Sequence, residues 1–186
     1  MFAVGQLILL GLWLNIDNIF RILPPEYEAG KYVILLIGMA NLVNMVAGIS
    51  SDILATSRYY AYSAWFVGVL VVITIVSNLI FIPMWGISGA AFPSLLSMLI
   101  YAITKFIFLK WKFGFQPYNR SFIYILLFGL ATYLLVIFVP QFENLYLNIL
   151  WISGLTTLLY VLMIYFSGII PEANEIVFKF LNKKNK

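Results

Sequence analysis

The segment Asn78-Leu-Ile-Phe-Ile-Pro-Met-Trp-Gly-Ile-Ser-Gly-Ala-Ala91 interrupts an otherwise apolar chain and sets how the flanking helices are arranged. Pro83 lacks a backbone donor and disfavours helix at the residue before it, and Gly86 permits a tight reversal. The small residues Gly89, Ala90 and Ala91 then begin a new apolar run. In a bilayer, small residues let two helix backbones approach closely. We therefore predict a helix-to-helix turn whose small residues serve packing rather than ligand binding.

The composition indicates a membrane protein. Of the 186 residues, 63% are hydrophobic and 10% are charged, and the mean hydropathy is +1.01. A soluble domain carries roughly 25% charged residues. Apolar runs of about 20 residues, each long enough to cross a hydrocarbon core as a helix, recur along the sequence. These features predict an all-α, polytopic membrane helix bundle.

Six transmembrane helices are predicted, with breakers or charged residues at their boundaries. Their approximate bounds are 2–23, 31–54, 61–82, 87–109, 121–139 and 146–168. They form one transmembrane domain over residues 1–170, followed by a basic tail over residues 171–186. If the tail is cytoplasmic, nine of the eleven Lys and Arg residues fall on the same side of the membrane. The positive-inside rule then places both chain ends in the cytoplasm.

The start of the chain lacks the charge that normally orients a first span. No cation precedes Arg21, and Met1 opens directly into apolar residues. Flanking cations usually fix the direction in which a first helix inserts. We therefore expect this chain to be the rear part of a longer protein.

The residue inventory disfavours an enzyme. The chain has no Cys and no His, which removes thiol nucleophiles, disulfides, haem and the usual zinc sites. Its seven acidic residues are scattered, and no glycine-rich phosphate loop is present. We expect no cofactor and no metal. The net charge of +4 comes from loops and the tail of a membrane chain, so we interpret it as a topology signal and expect no nucleic-acid partner.

Polar residues within the first predicted span need a partner or a wet cavity. Asn15, Asp17 and Asn18 lie close together, and Asp17 stands four residues before Arg21. One interpretation is a hydrophilic patch facing a substrate path, to which Asn15 and Asp17 would belong. The other, which the spacing favours, is an Asp17–Arg21 ion pair with the amides bonded to a neighbouring helix.

The second predicted span carries a narrow polar stripe. Asn41, Asn44 and Gly48 follow i, i+3 and i+7, so they lie on one helix face. This stripe is the best candidate for a face that lines a cavity or packs on another helix. Asp52, near the end of the span, is predicted to pair with Arg58 or to cap backbone groups, and a role in proton relay stays open.

Two further features are interpreted as interfacial. Lys105 lies near the end of the fourth span, and we predict that its side chain reaches the membrane interface and has no site role. The tryptophans at positions 13, 65, 85, 111 and 151 fall mostly near predicted interfaces. Such an aromatic belt is common in membrane proteins and needs no sugar-stacking function.

Two segments resemble a known family. Asn41-Leu-Val-Asn-Met-Val-Ala-Gly-Ile-Ser-Ser-Asp-Ile-Leu-Ala-Thr-Ser-Arg-Tyr-Tyr60, followed by the segment from Asn78 to Ala91, resembles the polysaccharide biosynthesis proteins, or O-antigen flippases, of the MATE-like exporter superfamily. The basic segment Lys110-Trp-Lys-Phe-Gly-Phe-Gln-Pro-Tyr118 resembles the stretch after the corresponding helix in that family. Where members often carry an Asn, this chain has Ser50-Ser51.

The resemblance implies a fold and a function. Members have twelve to fourteen helices in two lobes around a central cavity, so this chain would be the last six helices, part of the second lobe of a MATE-like fold. The implied function is translocation of a lipid-linked oligosaccharide, of the undecaprenyl pyrophosphate type, across the bacterial inner membrane by alternating access. Membrane lipids and a missing amino-terminal lobe would be its other partners. The alternative is a non-transporting membrane subunit, or a truncated remnant, that assembles with a partner chain.

Overall fold

The computed structural model describes residues 1–114 and 121–168, apart from the side chains of residues 29, 87 and 88. This part of the chain is helical and contains no strand. The basic tail predicted over residues 171–186 lies outside the described residues. The elements are α1 (Phe2–Leu14), α2 (Ile16–Ile22), a 3-10 helix (Pro25–Gly30), α3 (Lys31–Ala55), α4 (Tyr60–Phe113), α5 (Ser121–Ile137) and α6 (Leu145–Ser167).

Helix α4 is a hairpin of two helices, which we name α4a (Tyr60–Gly86) and α4b (Gly89–Phe113). The chain reverses at Gly86, whose φ of 59° and ψ of −132° are accessible almost only to glycine. The helix runs through Pro83 to this glycine, four residues beyond the approximate end at residue 82 that was predicted for the third span. Neighbouring helices re-satisfy backbone groups that a proline frees, which is why membrane helices tolerate it.

Gly89 permits the two arms of the hairpin to touch. A Cβ placed on Gly89 would lie 2.2 Å from the carbonyl oxygen of Phe81. Ala91 is buried beside it, whereas Ala90 and Pro83 are exposed and Asn78 is half-buried. The ring centroids of Phe81 and Trp85, on α4a, lie within 5.4 Å of the ring centroid of Phe92, on α4b. The turn is therefore held by backbone contact at a glycine and by an aromatic cluster.

Four helices are long and apolar enough to cross a membrane: α3, α4a, α4b and α6. The first predicted span is broken, because α1 and α2 meet at Asn15 with a bend of 58°, and as one unit they make a fifth candidate. Helix α5 is apolar but has 17 residues, or about 26 Å of helix. The chain is thus a multi-pass membrane helix bundle. Residues 1–114 and 121–168 contain four or five candidate spans, and the predicted count of six is not confirmed.

The helices pack as two groups joined by α1. Helix α3 packs chiefly against α4, while α1 contacts α3, α5 and α6, and α5 packs on α6. The buried residues Phe2, Ile125 and Tyr160 form a small core where α1, α5 and α6 meet. Most other apolar side chains point outward, as the surface of a protein in lipid requires.

Candidate functional site

The polar stripe of α3 lies on the open side of the bundle. Asn41, Asn44, Gly48 and Asp52 share about 80° of the helix circumference and span about 16 Å along its axis. Asn41, Asn44 and Asp52 are exposed. Among the residues that the structure describes, none hydrogen-bonds to these two amides or to the Asp52 carboxylate. A Cβ on Gly48 would meet no atom within 4 Å. No described helix therefore covers this face.

The depth of the stripe matters as much as its exposure. Asn41 and Asn44 lie ten and thirteen residues after Lys31 in a helix of 25 residues, so they occupy its middle. Asp52 lies three residues before the helix ends at Ala55. The amides are thus at the height where a bilayer is least tolerant of polar groups, and the carboxylate is near one interface.

The sequence predicted that Asp52 pairs with Arg58 or caps backbone groups, and among the described residues its carboxylate does neither. The Arg58 guanidinium instead donates to the hydroxyl of Tyr59 at 2.8 Å. Arg58 lies in the turn after α3, past Ser57, whose hydroxyl donates to the Leu54 carbonyl. The carboxylate stays on the open face of α3, available to water or to a ligand.

Lys105 lies within the bundle, so the prediction that it reaches the interface is wrong. It is only 1% exposed, and its Nζ donates to Ser51 Oγ at 2.7 Å and to the Tyr101 hydroxyl. Ser51 in turn donates to the Ala47 carbonyl at 3.0 Å. In the described part of the chain no carboxylate pairs with this ammonium. Ser51 on α3 and Tyr101, one turn earlier on α4b, supply the two oxygen acceptors for the ammonium within the bundle.

Asp17 forms an ion pair with Lys31, not with Arg21. The bend at Asn15 redirects α2, and the 3-10 helix returns the chain so that Lys31 begins α3 beside Asp17. Because Asp17 is 76% exposed, this pair contributes little, on the order of 0–1 kcal/mol. Together with Tyr133 and Gln141, the pair lines a cavity of about 220 Å³. Asp17 and the α3 stripe are therefore separate features.

Asn15 and Asn18 are buried and join the bend to α6. The Asn15 amide donates to the Gly11 carbonyl at 2.8 Å and to Ser153 Oγ at 3.0 Å. The Asn18 oxygen accepts from Asn148 Nδ2 at 3.2 Å, and the Asn148 oxygen accepts from the Phe142 backbone at 3.1 Å. Asn15 thus bonds a neighbouring helix. Its own amide oxygen is buried with no partner in the structure.

A second buried polar cluster carries no residue singled out from the sequence. Gln6 accepts from the Tyr160 hydroxyl at 3.2 Å and donates to the Leu126 carbonyl at 3.4 Å. The Tyr160 hydroxyl has one hydrogen, which it shares between Gln6 and the Ala3 carbonyl oxygen at 3.1 Å. Gly129 leaves room for Gln6, because a Cβ there would lie 1.8 Å from the Gln6 amide nitrogen. The sequence feature that could have indicated this cluster was an isolated glutamine, Gln6, in an apolar run.

The described residues show no group of three or more His, Cys, Asp or Glu that could hold a metal ion. Asn15, Lys105 and Gln6 hydrogen-bond to other residues of the protein. The side chains of Asn41, Asn44 and Asp52 are exposed and have no hydrogen-bond partner among the described residues. The α3 stripe is therefore the candidate functional site. No family model, curated protein or solved structure matches this chain.

Proposed function

We propose that this chain forms part of a flippase that moves a lipid-linked oligosaccharide, of the undecaprenyl pyrophosphate type, across the bacterial cytoplasmic membrane for surface polysaccharide assembly. The observation that carries the proposal is the unpartnered stripe of Asn41, Asn44 and Asp52 on an apolar helix. The substrate class comes from the family resemblance. The bias of cations among the six predicted spans would place both chain ends in the cytoplasm.

Energetics argue against a stripe that faces lipid. Polar side chains within a membrane span are costly to expose to lipid, and they mostly face a bundle interior or a wet cavity. Asn41 and Asn44 are at mid-height of α3. Transporters place their substrate sites near that level. The stripe therefore faces a polar cavity that further helices close, supplied by an amino-terminal lobe or by a separate partner chain.

The chemistry of the stripe suits a sugar. Each Asn side chain offers two N–H donors and a carbonyl acceptor, which matches hydroxyl groups that both donate and accept. Neutral amides hold a sugar without trapping it by charge. In alternating access, the lobe that carries α3 rocks against its counterpart, and the stripe faces each side of the membrane in turn.

The alternative is a non-transporting subunit, in which a polar helix of a partner chain covers the stripe. Amide-to-amide bonds between membrane helices contribute about 0.6–2 kcal/mol each, enough to help two chains associate. Here the stripe is a permanent contact and never meets the substrate.

The test is the double variant Asn41→Ala and Asn44→Ala, made in the chromosomal copy of the whole gene. We expect normal abundance in the membrane, less surface polysaccharide and an excess of lipid-linked oligosaccharide on the inner leaflet. The matched control is Met39→Ala, an exposed apolar position at a similar level of α3 but about 160° around the helix from Asn41. Unchanged polysaccharide export in the double variant would remove the stripe from the substrate path. Loss of the protein from the membrane in the double variant alone would favour the partner-chain alternative.

A further inference from the structure

At the end of the α3–α4 unit where α3 stops, two cations converge on one tyrosine ring. The Arg58 guanidinium carbon lies 4.8 Å from the ring centroid of Tyr59, and Lys112 Nζ lies 5.8 Å from the same centroid. Lys112 Nζ also lies 4.3 Å from the ring of Trp111. Within residues 1–114 and 121–168, neither cation has a carboxylate partner. Two neighbouring cations without a counter-ion attract an anion.

Tyr59 connects these cations to an open apolar cleft between α4a and α4b. Its ring centroid lies 6.0 Å from that of Tyr62 and 6.1 Å from that of Phe108. Both of these rings line the cleft, whose volume is about 440 Å³. The other lining residues are Ala61, Trp65 and Phe66. A cationic site and an apolar cleft are therefore continuous through a single aromatic residue.

The surroundings place this site at the level of lipid headgroups. Tyr60 and Trp111 are largely exposed there, as aromatic residues at a membrane interface are. The acid nearest in sequence, Asp52, is not paired with Arg58 and lies on the open stripe of α3. The local charge from Arg58 and Lys112 is thus uncompensated.

We propose that this end of the hairpin binds an anionic phospholipid, with the phosphate between Arg58 and Lys112 and one acyl chain in the cleft. Basic pockets between membrane helices recognise anionic headgroups in this way. A free phosphate would use the two cations and leave the cleft unused. A zwitterionic lipid would bring its own cation against them. The occupant that satisfies both halves of the site is an anionic lipid.

The experiment is a lipid titration of the full chain in detergent, followed by native mass spectrometry, with phosphatidylglycerol compared with phosphatidylcholine. Arg58→Gln and Lys112→Gln should each weaken phosphatidylglycerol binding about fivefold, and the double variant about 25-fold, with phosphatidylcholine binding unchanged. Lys110→Gln is the matched control, because it removes the same charge within one turn of the same helix but from a side chain that does not approach Tyr59. An equal effect of Lys110→Gln would overturn the proposal in favour of general surface charge.

A second arm tests the cleft. Ala61→Phe fills the cleft and leaves every cation in place, so it should weaken binding of long-chain phosphatidylglycerol. It should not alter retention of inorganic phosphate, the probe for a free-anion site. If phosphate displaces the lipid at equal concentration, or if Ala61→Phe has no effect, the site does not hold a lipid chain. Unaltered lipid preference in the Arg58 and Lys112 double variant would overturn the headgroup assignment.

Discussion

Replacing Gly89 with alanine tests the contact that closes the α4 hairpin. The added Cβ would lie 2.2 Å from the Phe81 carbonyl oxygen and 2.8 Å from the carbonyl carbon. Ordinary contacts to a Cβ begin at 3.4 Å, so the helices must separate by roughly 1 Å at this point. The obstructing atoms belong to the backbone, which cannot rotate out of the way as a side chain could.

The expected cost follows from this geometry. Overpacking a close contact lowers the free energy of unfolding by about 1–3 kcal/mol. Alanine has a higher helix propensity than glycine, which raises the free energy of unfolding by up to about 1 kcal/mol and offsets part of this cost. With the full offset, we therefore expect Gly89→Ala to lower the unfolding free energy by up to about 2 kcal/mol net. Gly68→Ala is the matched control, because an added Cβ at this position on α4a would meet no atom within 4 Å and the variant gains only the helix propensity of alanine.

The assay is reversible unfolding of the purified chain in mixed micelles of a mild detergent and dodecyl sulfate, monitored by tryptophan fluorescence. Gly89→Ala should unfold at a lower dodecyl sulfate fraction than wild type, and Gly68→Ala at an equal or higher one. Identical midpoints for the two variants would refute the close approach of the two arms at Gly89.

Three other substitutions test the buried polar groups. Tyr160→Phe removes the hydroxyl that donates to Ala3 and Gln6, and we expect a loss of about 1 kcal/mol of unfolding free energy in the same assay; no loss would mean that this hydroxyl is not bonded. Lys105→Met keeps the apolar stem and removes an unpaired charge, so stability should be equal or higher, while a large loss would show that its ammonium contacts stabilise the fold. Asn148→Ala leaves the Asn18 oxygen without its donor and should cost about 1–3 kcal/mol, a value that a midpoint equal to wild type would contradict.

The helices and the hairpin could be predicted because their signals are local. Long apolar runs predict membrane helices, and a proline and a glycine near Met84 predict a turn. The reversal at Gly86 was predicted, because this residue adopts a conformation closed to other residues. The helix before it continues four residues beyond the predicted end at residue 82, because a membrane helix can accommodate Pro83.

The partners of the polar side chains could not be predicted, because they depend on residues far away in sequence. The spacing of four residues favoured Arg21 as the ion-pair partner of Asp17, but the bend at Asn15 brings Lys31 beside Asp17 instead. No glycine or proline at Asn15 indicated this bend in the sequence. Lys105 donates a hydrogen bond to Ser51, which lies on another helix 54 residues earlier in the sequence. The stripe of Asn41, Asn44 and Gly48 was visible in the sequence because these positions follow the helical period, and the structure adds Asp52 to the same face.

The most direct test of a polar path along α3 uses the absence of cysteine from the chain. Single cysteines are introduced as Asn44→Cys on the stripe and as Val72→Cys at mid-height of the exposed apolar face of α4a, and native membranes are treated with a membrane-impermeant maleimide. A water-filled path predicts that Asn44→Cys is labelled and Val72→Cys is not, although both react after denaturation. An Asn44→Cys as protected as Val72→Cys would contradict the account, because the stripe would then be sealed from water by lipid or by another helix.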